Sequence, residues 1–220
     1  MLKLINGEQM NILGIDEAGR GPVIGPLIVA GIVIPDDKIP VLERMGIKDS
    51  KKLTPTRRKV LSRKLKNMFE YETVEITAQD IDNLRASDVN LNEIEKIAML
   101  KIINKLDYDC VIIDSVDIKP ERLKNEIQSI VGNIEIISEH KADDKYIQVA
   151  AASIVAKYER DSIIENLKKE YRKIGEIGSG YPSDPKTKRF LENFTYEEMP
   201  KIVRKSWKTI QNIKDNEITE

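Results

Sequence analysis

A short apolar run, Ile12 to Ile15, leads straight into two adjacent carboxylates, Asp16 and Glu17. Gly19-Arg20-Gly21-Pro22 follows, and then a second apolar run, Val23 to Ile34, rich in β-branched residues. The pattern predicts strand, turn, strand, the start of a sheet. It constrains the fold because charge at the end of a buried strand is avoided unless it is paired or metal-bound. Either Asp16 and Glu17 are solvated charges at a strand end, or a metal-binding carboxylate projects from the sheet there. Glycine on both sides of Arg20 removes Cβ bulk and permits dihedrals closed to other residues. Such a turn can press its amides against a ligand while Arg20 offers donors.

The rest of the chain limits what that ligand can be. At 220 residues there is room for one domain with a real core, or one domain and a small appendage. No apolar run approaches the roughly 18 residues of a membrane span, and no signal peptide is visible. With one cysteine, Cys110, and one histidine, His140, disulfide scaffolds, Cys- or His-rich zinc sites and a Ser-His-Asp hydrolase drop out. An intracellular, cytoplasmic location is expected. Net charge is only −1, but the charges are segregated. Lys48 to Lys66 holds nine bases and one acid, Lys201 to Lys214 five bases and no acid, and Glu70 to Asp109 ten acids and four bases. Two basic patches on a neutral chain suit a polyanion; solvated helix faces are the plainer reading of the same residues.

Periodicity predicts strands at 11–17, 23–34, 70–77, 110–113 and 133–138. Helices are expected at 38–45, 55–67, 78–85, 92–106, 120–131, 144–173, 185–194 and 200–213. Met1–Gln9 reads as an extension, and Asp215–Glu220 as a frayed tail. The first half is strand after strand. In the second half strands alternate with helices, implying parallel crossovers. Together they predict an α/β fold: a mixed sheet with helices packed on it.

Two strands run into an aspartate, Asp16 after Ile15 and Asp114 after Ile113, and Asp143-Asp144 opens the longest helix. Strand alternation puts Asp16 and Glu17 on opposite faces, which ranks Asp16 first as a ligand. One of Asp143 and Asp144 is equally well read as a helix N-cap. Carboxylates that converge cannot all stay ionised without a cation. Oxygen-only donors favour Mg²⁺ or Mn²⁺ over zinc. Two such ions about 3.5–4 Å apart would clamp an in-line displacement at phosphorus.

The motifs DEAGRGPVIGP, DSKKLT, IID at 112–114, EHKADDKYIQVAAASIVAKYERD and GSGYPSDP together resemble type 2 ribonuclease H in its archaeal form, over about residues 11–210. The resemblance implies an RNase H-like mixed β-sheet flanked by helices, as a catalytic domain over 1–170, with a helical C-terminal region over 171–220 packing on it. It implies metal-dependent cleavage of the RNA strand of RNA–DNA hybrids, and cleavage at single ribonucleotides in duplex DNA. The family's metal-binding acids fall on Asp16, Glu17, Asp114 and Asp143. Glu17 thereby returns as a ligand, provided the strand distorts there. Gly19, Arg20 and Gly21 match the part that reads the ribose 2′-hydroxyl, together with Tyr181; Lys48, Ser50 and Lys51 match a phosphate-gripping loop, and Asn90 a strand-contacting asparagine. Asp144 stands where the family usually has a small residue. A sliding clamp is a candidate partner, although the tail after Ile210 shows no clear Gln-x-x-aliphatic-x-x-aromatic motif. A monomer is expected.

Two rivals share some of these features. A DNA nuclease or transposase-like enzyme would carry the carboxylates but has no need of the glycine-flanked turn and Tyr181. A hybrid-binding module without activity has no need of the carboxylates.

Overall fold

The computed structural model describes residues 9–219. In chain order these form β1 (Asn11–Ala18), β2 (Leu27–Pro35), α1 (Ile39–Met45), a 3-10 helix (Ile47–Lys52), α2 (Pro55–Met68) and β3 (Tyr71–Ile76). Then come α3 (Ala78–Ala86), α4 (Leu91–Ile103), β4 (Cys110–Asp114), α5 (Pro120–Val131) and β5 (Glu135–Glu139). The chain continues through α6 (Ala142–Lys145), α7 (Ile147–Glu170), α8 (Pro185–Leu191) and α9 (Lys208–Thr219). The strands make one mixed sheet in the order β3-β2-β1-β4-β5, with β1 parallel to β4 and β4 parallel to β5. α5 is the crossover between β4 and β5 and packs on β5. Cys110 to Ile113 is buried throughout, as expected of an inner parallel strand.

Contacts divide the chain into two compact units, neither continuous in sequence. The first takes the chain up to Ala18, Val29–Val74 and Glu95–Tyr158. Its packing turns on Gly14: a Cβ there would lie 2.3 Å from the backbone carbon of Gln148. The backbone of α7 therefore lies directly on β1, and Ala150, Ala151, Ala152 and Ser153 are fully buried. The small-residue run is what permits that approach.

The second unit takes Gly19–Ile28, Glu75–Ile94 and the chain from Glu159 on. Val23, Ile24, Ile177, Phe190, Leu191, Met199, Val203 and Ile210 form its core. Phe190 stacks edge-to-face between Tyr171 and Phe194, with ring centroids 5.8 and 5.3 Å away.

The departures from expectation that matter most for the packing are these. β2 starts at Leu27 rather than 23, because Pro26 has no N–H to give and Gly25 is left-handed at φ 86°. The helix expected over 144–173 breaks at Tyr146, which is extended, into α6 and α7. Residues 200–207 are not helical, because their backbone pairs elsewhere: Ile24 bridges to Val203, and the Arg204 N–H donates to Val23 O at 2.8 Å. The Asp82 carboxylate accepts from the N–H groups of Lys205 and Ser206 at 2.7 and 2.9 Å. The segment expected to fray after Asp215 instead continues α9 to Thr219. The expected N-terminal extension lies, apart from Gln9, outside the described residues.

Candidate active site

In the first unit, the parallel register sets Ile15 beside Ile113. The next residue of each strand is an aspartate, so Asp16 and Asp114 leave the sheet at the same end. β5 runs alongside, with Glu139 beside Asp114, and the turn after it brings round α6. Lys141 takes a left-handed conformation in that turn, at φ 56°. The Ala142 N–H then donates to Asp114 Oδ1 at 3.2 Å. One residue later stands Asp143, 5 % exposed. Asp16, Asp114 and Asp143 each offer an oxygen within 4.8 Å of the other two. Glu17, half-buried and next along β1, is outside that trio.

Burial raises the proton affinity of Asp16 well above the ordinary carboxylate range, and the charge of Glu17 raises it further. A hydrogen bond from Ser153 works against this, and so does the charge of Lys157. Lys157 Nζ in turn donates to Ser153 Oγ at 2.6 Å. Burial raises Asp114 too, opposed by the Ala142 N–H and reinforced by Asp143. The three candidate ligands of this cluster offer only carboxylate oxygens. Such a set fits a hard divalent cation.

The loop residues divide. Lys51 Nζ reaches Asp144 Oδ1 at 2.7 Å and Asp143 Oδ1 at 3.2 Å. Ser50 is buried, and Lys48 is exposed at the rim of a cavity of about 700 Å³ floored by Ile12, Ile112 and Ile137. Asp144 is half-exposed, and its hydrogen bond from Lys51 holds its carboxyl below the usual range.

In the second unit, Gly19 is left-handed at φ 92°, and a Cβ on it would strike Arg160 Nε at 2.3 Å. A Cβ on Gly21 would sit 3.2 Å from Tyr181 Cε1, so turn and tyrosine are in contact. Tyr181 is 45 % exposed despite its size. Arg20 Nη2 donates to Asn92 Oδ1 at 2.6 Å. Asn90 Oδ1 accepts the Glu93 N–H at 3.1 Å, the arrangement of a helix N-cap.

Sequence reading missed three groups. Ser153 was visible only as one of a run of small residues, although Lys157 one helical turn on was a signal. Asn92 went unnoticed beside Asn90. Arg204 and Trp207, described below, left no local sign at all.

Residues 13–210 match the model of the family described as Ribonuclease HII. This chain belongs to the ribonuclease HII family. A ribonuclease HII of Methanobrevibacter smithii is 59 % identical over 208 residues, covering 94 % of this chain and 100 % of that one. Among solved structures, the ribonuclease H2 of Pyrococcus horikoshii OT3 superposes with a TM-score of 0.87 at 40 % identity, covering 96 % of this chain and 100 % of that one. The RNase HII in the PCNA:RNase HII complex from Archaeoglobus fulgidus gives a TM-score of 0.82 at 42 % identity, covering 90 % and 96 %. The chain is thus a metal-dependent endonuclease that cleaves the RNA strand of RNA–DNA hybrids. Among the described residues, no helix is long and apolar enough to cross a membrane.

Proposed function

We propose that this ribonuclease HII cuts at single ribonucleotides embedded in duplex DNA as well as in RNA–DNA hybrids, using two Mg²⁺ or Mn²⁺ ions held by Asp16, Glu17, Asp114 and Asp143. The observation that carries the reading is the convergence of three buried or half-buried aspartates within 4.8 Å, with no histidine or cysteine among the donors. When bound, two divalent ions supply an activated water and charge stabilisation at the departing oxygen. The chain's own groups set the stage for this. Ser153, held by Lys157, donates to Asp16 and fixes its rotamer. The Ala142 N–H does the same for Asp114. Lys51 offsets the charge of Asp143 and, half-exposed, is free to swing toward a phosphate. The water oxygen joins phosphorus as the bond to O3′ breaks, leaving a 3′-hydroxyl and a 5′-phosphate.

Selectivity for ribose resides in this reading in Gly19-Arg20-Gly21 and Tyr181. The 2′-hydroxyl is what lets a protein tell RNA from DNA at a given site. A site built to bond a hydroxyl rejects the analogue lacking it, because its own polar groups are left unpaired. In this reading Lys48, Lys51 and Asn90 contact the strands, and Ser50, buried, supports the loop that carries the two lysines. PCNA in the Archaeoglobus fulgidus complex supports a sliding clamp as a further partner.

The test is a rate comparison on matched DNA duplexes differing at one 2′ position. The 2′-hydroxy duplex is cut, whereas the 2′-deoxy duplex binds through its phosphates, more weakly as salt rises, and is not cut. Similar rates on both would leave a general nuclease and remove the ribose-reading role.

A further inference from the structure

We infer that Arg204, braced by Trp207, is a positioning residue that holds the Gly19–Gly21 turn in the shape needed to read ribose; this rests on the turn's role proposed above. Arg204 is 0 % exposed, a rare state for an arginine. Its guanidinium serves three backbone carbonyls through three different nitrogens. Nη2 donates to Gly19 O at 2.7 Å, Nη1 to Arg20 O at 3.2 Å, and Nε to Gly25 O at 2.9 Å. The Trp207 ring lies over the guanidinium carbon at 4.8 Å, and its Nε1–H donates to Gly21 O at 3.3 Å. All three carbonyls of Gly19-Arg20-Gly21 are thus drawn toward one pair of side chains.

Peptide planarity turns this into a statement about the turn's other edge. In a trans peptide the C=O of one residue and the N–H of the next point in opposite directions, and the described residues contain no cis bond. With Gly19 O and Arg20 O facing Arg204, the Arg20 and Gly21 N–H groups face away from it. Glycines alone would leave this turn free to rotate its peptides. The buried guanidinium removes that freedom, and the Gly21 edge that touches Tyr181 is held in place.

The residue type follows from the geometry. Three acceptors in different directions need the planar fork of arginine, whereas lysine offers its donors from a single point. Trp207 closes the open face of the cation.

The experiment compares wild type, Arg204→Lys and Trp207→Phe well below their melting temperatures, counting active molecules by single-turnover amplitude. Substrates are a DNA duplex with one ribonucleotide and its all-DNA twin. We expect Arg204→Lys to lose at least tenfold in kcat on the ribonucleotide duplex, with KM and all-DNA binding within about twofold of wild type. Trp207→Phe keeps the ring and deletes one donor, so it should lose severalfold in the same parameter. In Arg204→Ala, millimolar guanidinium should recover part of the rate. If Arg204→Lys fails to fold, Trp207→Phe decides alone. Wild-type kcat per active molecule in the variants, with only the melting temperature lowered, overturns the inference. If wild type itself cuts both duplexes equally, the ribose-reading role of the turn falls first, whatever the variants do.

Discussion

Asp143 and Asp144 are neighbours in sequence with opposite surroundings. Asp143 is buried with an oxygen within 4.8 Å of oxygens of Asp16 and Asp114, while Asp144 is half-exposed, outside that trio, and the nearer partner of Lys51. Asparagine is nearly isosteric with aspartate but uncharged. Asp143→Asn should therefore lose orders of magnitude in hybrid cleavage and Asp144→Asn little, in steady-state assays on one substrate; the reverse ranking would transfer the ligand role to Asp144. Asp16 carries a second prediction. Its proton affinity is higher folded than unfolded, so stability from that group is full below the ordinary pKa of 3.8 and lost as pH rises through the folded value. In chelator, Asp16→Asn should melt above wild type, and the gap should widen as pH rises above the ordinary 3.8. Saturating Mg²⁺ should narrow it by binding the wild type only. Melting curves that run parallel at every pH would mean the cluster is not charge-strained.

At the scale of elements, the site depends on how closely α7 lies on β1. The missing Cβ of Gly14 is what allows this, since the atoms it would meet are Gln148 C and O and Val149 N, all within 2.6 Å and all backbone. Backbone in a buried helix does not move aside cheaply. Gly14→Ala should cost about 3 kcal/mol, near the upper end for overpacking, measured by urea denaturation. Gly46→Ala is the matched control. Gly46 is left-handed at φ 77° with nothing within 4 Å, so only backbone strain opposes the methyl, about 1 kcal/mol. Equal losses at the two positions would mean that β1 and α7 can separate without consequence. The same contact seats Ser153 against Asp16, so Gly14→Ala should also lower cleavage per folded molecule.

For the whole molecule, the balance of charge matters more than its sum. The net charge of −1 conceals a basic segment around α2 and another around the Arg204 region. It also conceals an acidic trio with raised proton affinity at Asp16 and Asp114. In the proposed reading polyanion binding and cation binding fall to different residues and should separate in experiment. Excess EDTA should abolish hybrid cleavage, and added Mg²⁺ or Mn²⁺ should restore it, while duplex binding survives chelation. Full activity in EDTA would exclude the carboxylates as cation ligands. Cys110 has no part in this: burial pushes its thiol up to about 12, which leaves it inert at neutral pH.

Much of this was written locally. The apolar runs ending at Asp16 and Asp114 were legible because a buried strand and its polar terminus are recorded in consecutive residues. The mixed sheet followed from the change between consecutive strands and strand-helix alternation, and α5 from its own periodicity. The long ordered motifs identified the family. Local pattern could not choose between Asp143 and Asp144 on residue type, because the left-handed Lys141 and the extended Tyr146 that orient α6 belong to ordinary-looking residues. Nor could it show that residues 203 and 204 abandon helical bonds to pair with Val23 and Ile24, some 180 positions earlier. Arg204 is the clearest case. Its type says surface and its neighbours say helix, yet three carbonyls distant in sequence take it into the interior. Periodicity reports what a residue does with its near neighbours, whereas a buried cation is decided by where distant acceptors come together, and only the tertiary structure brings them there.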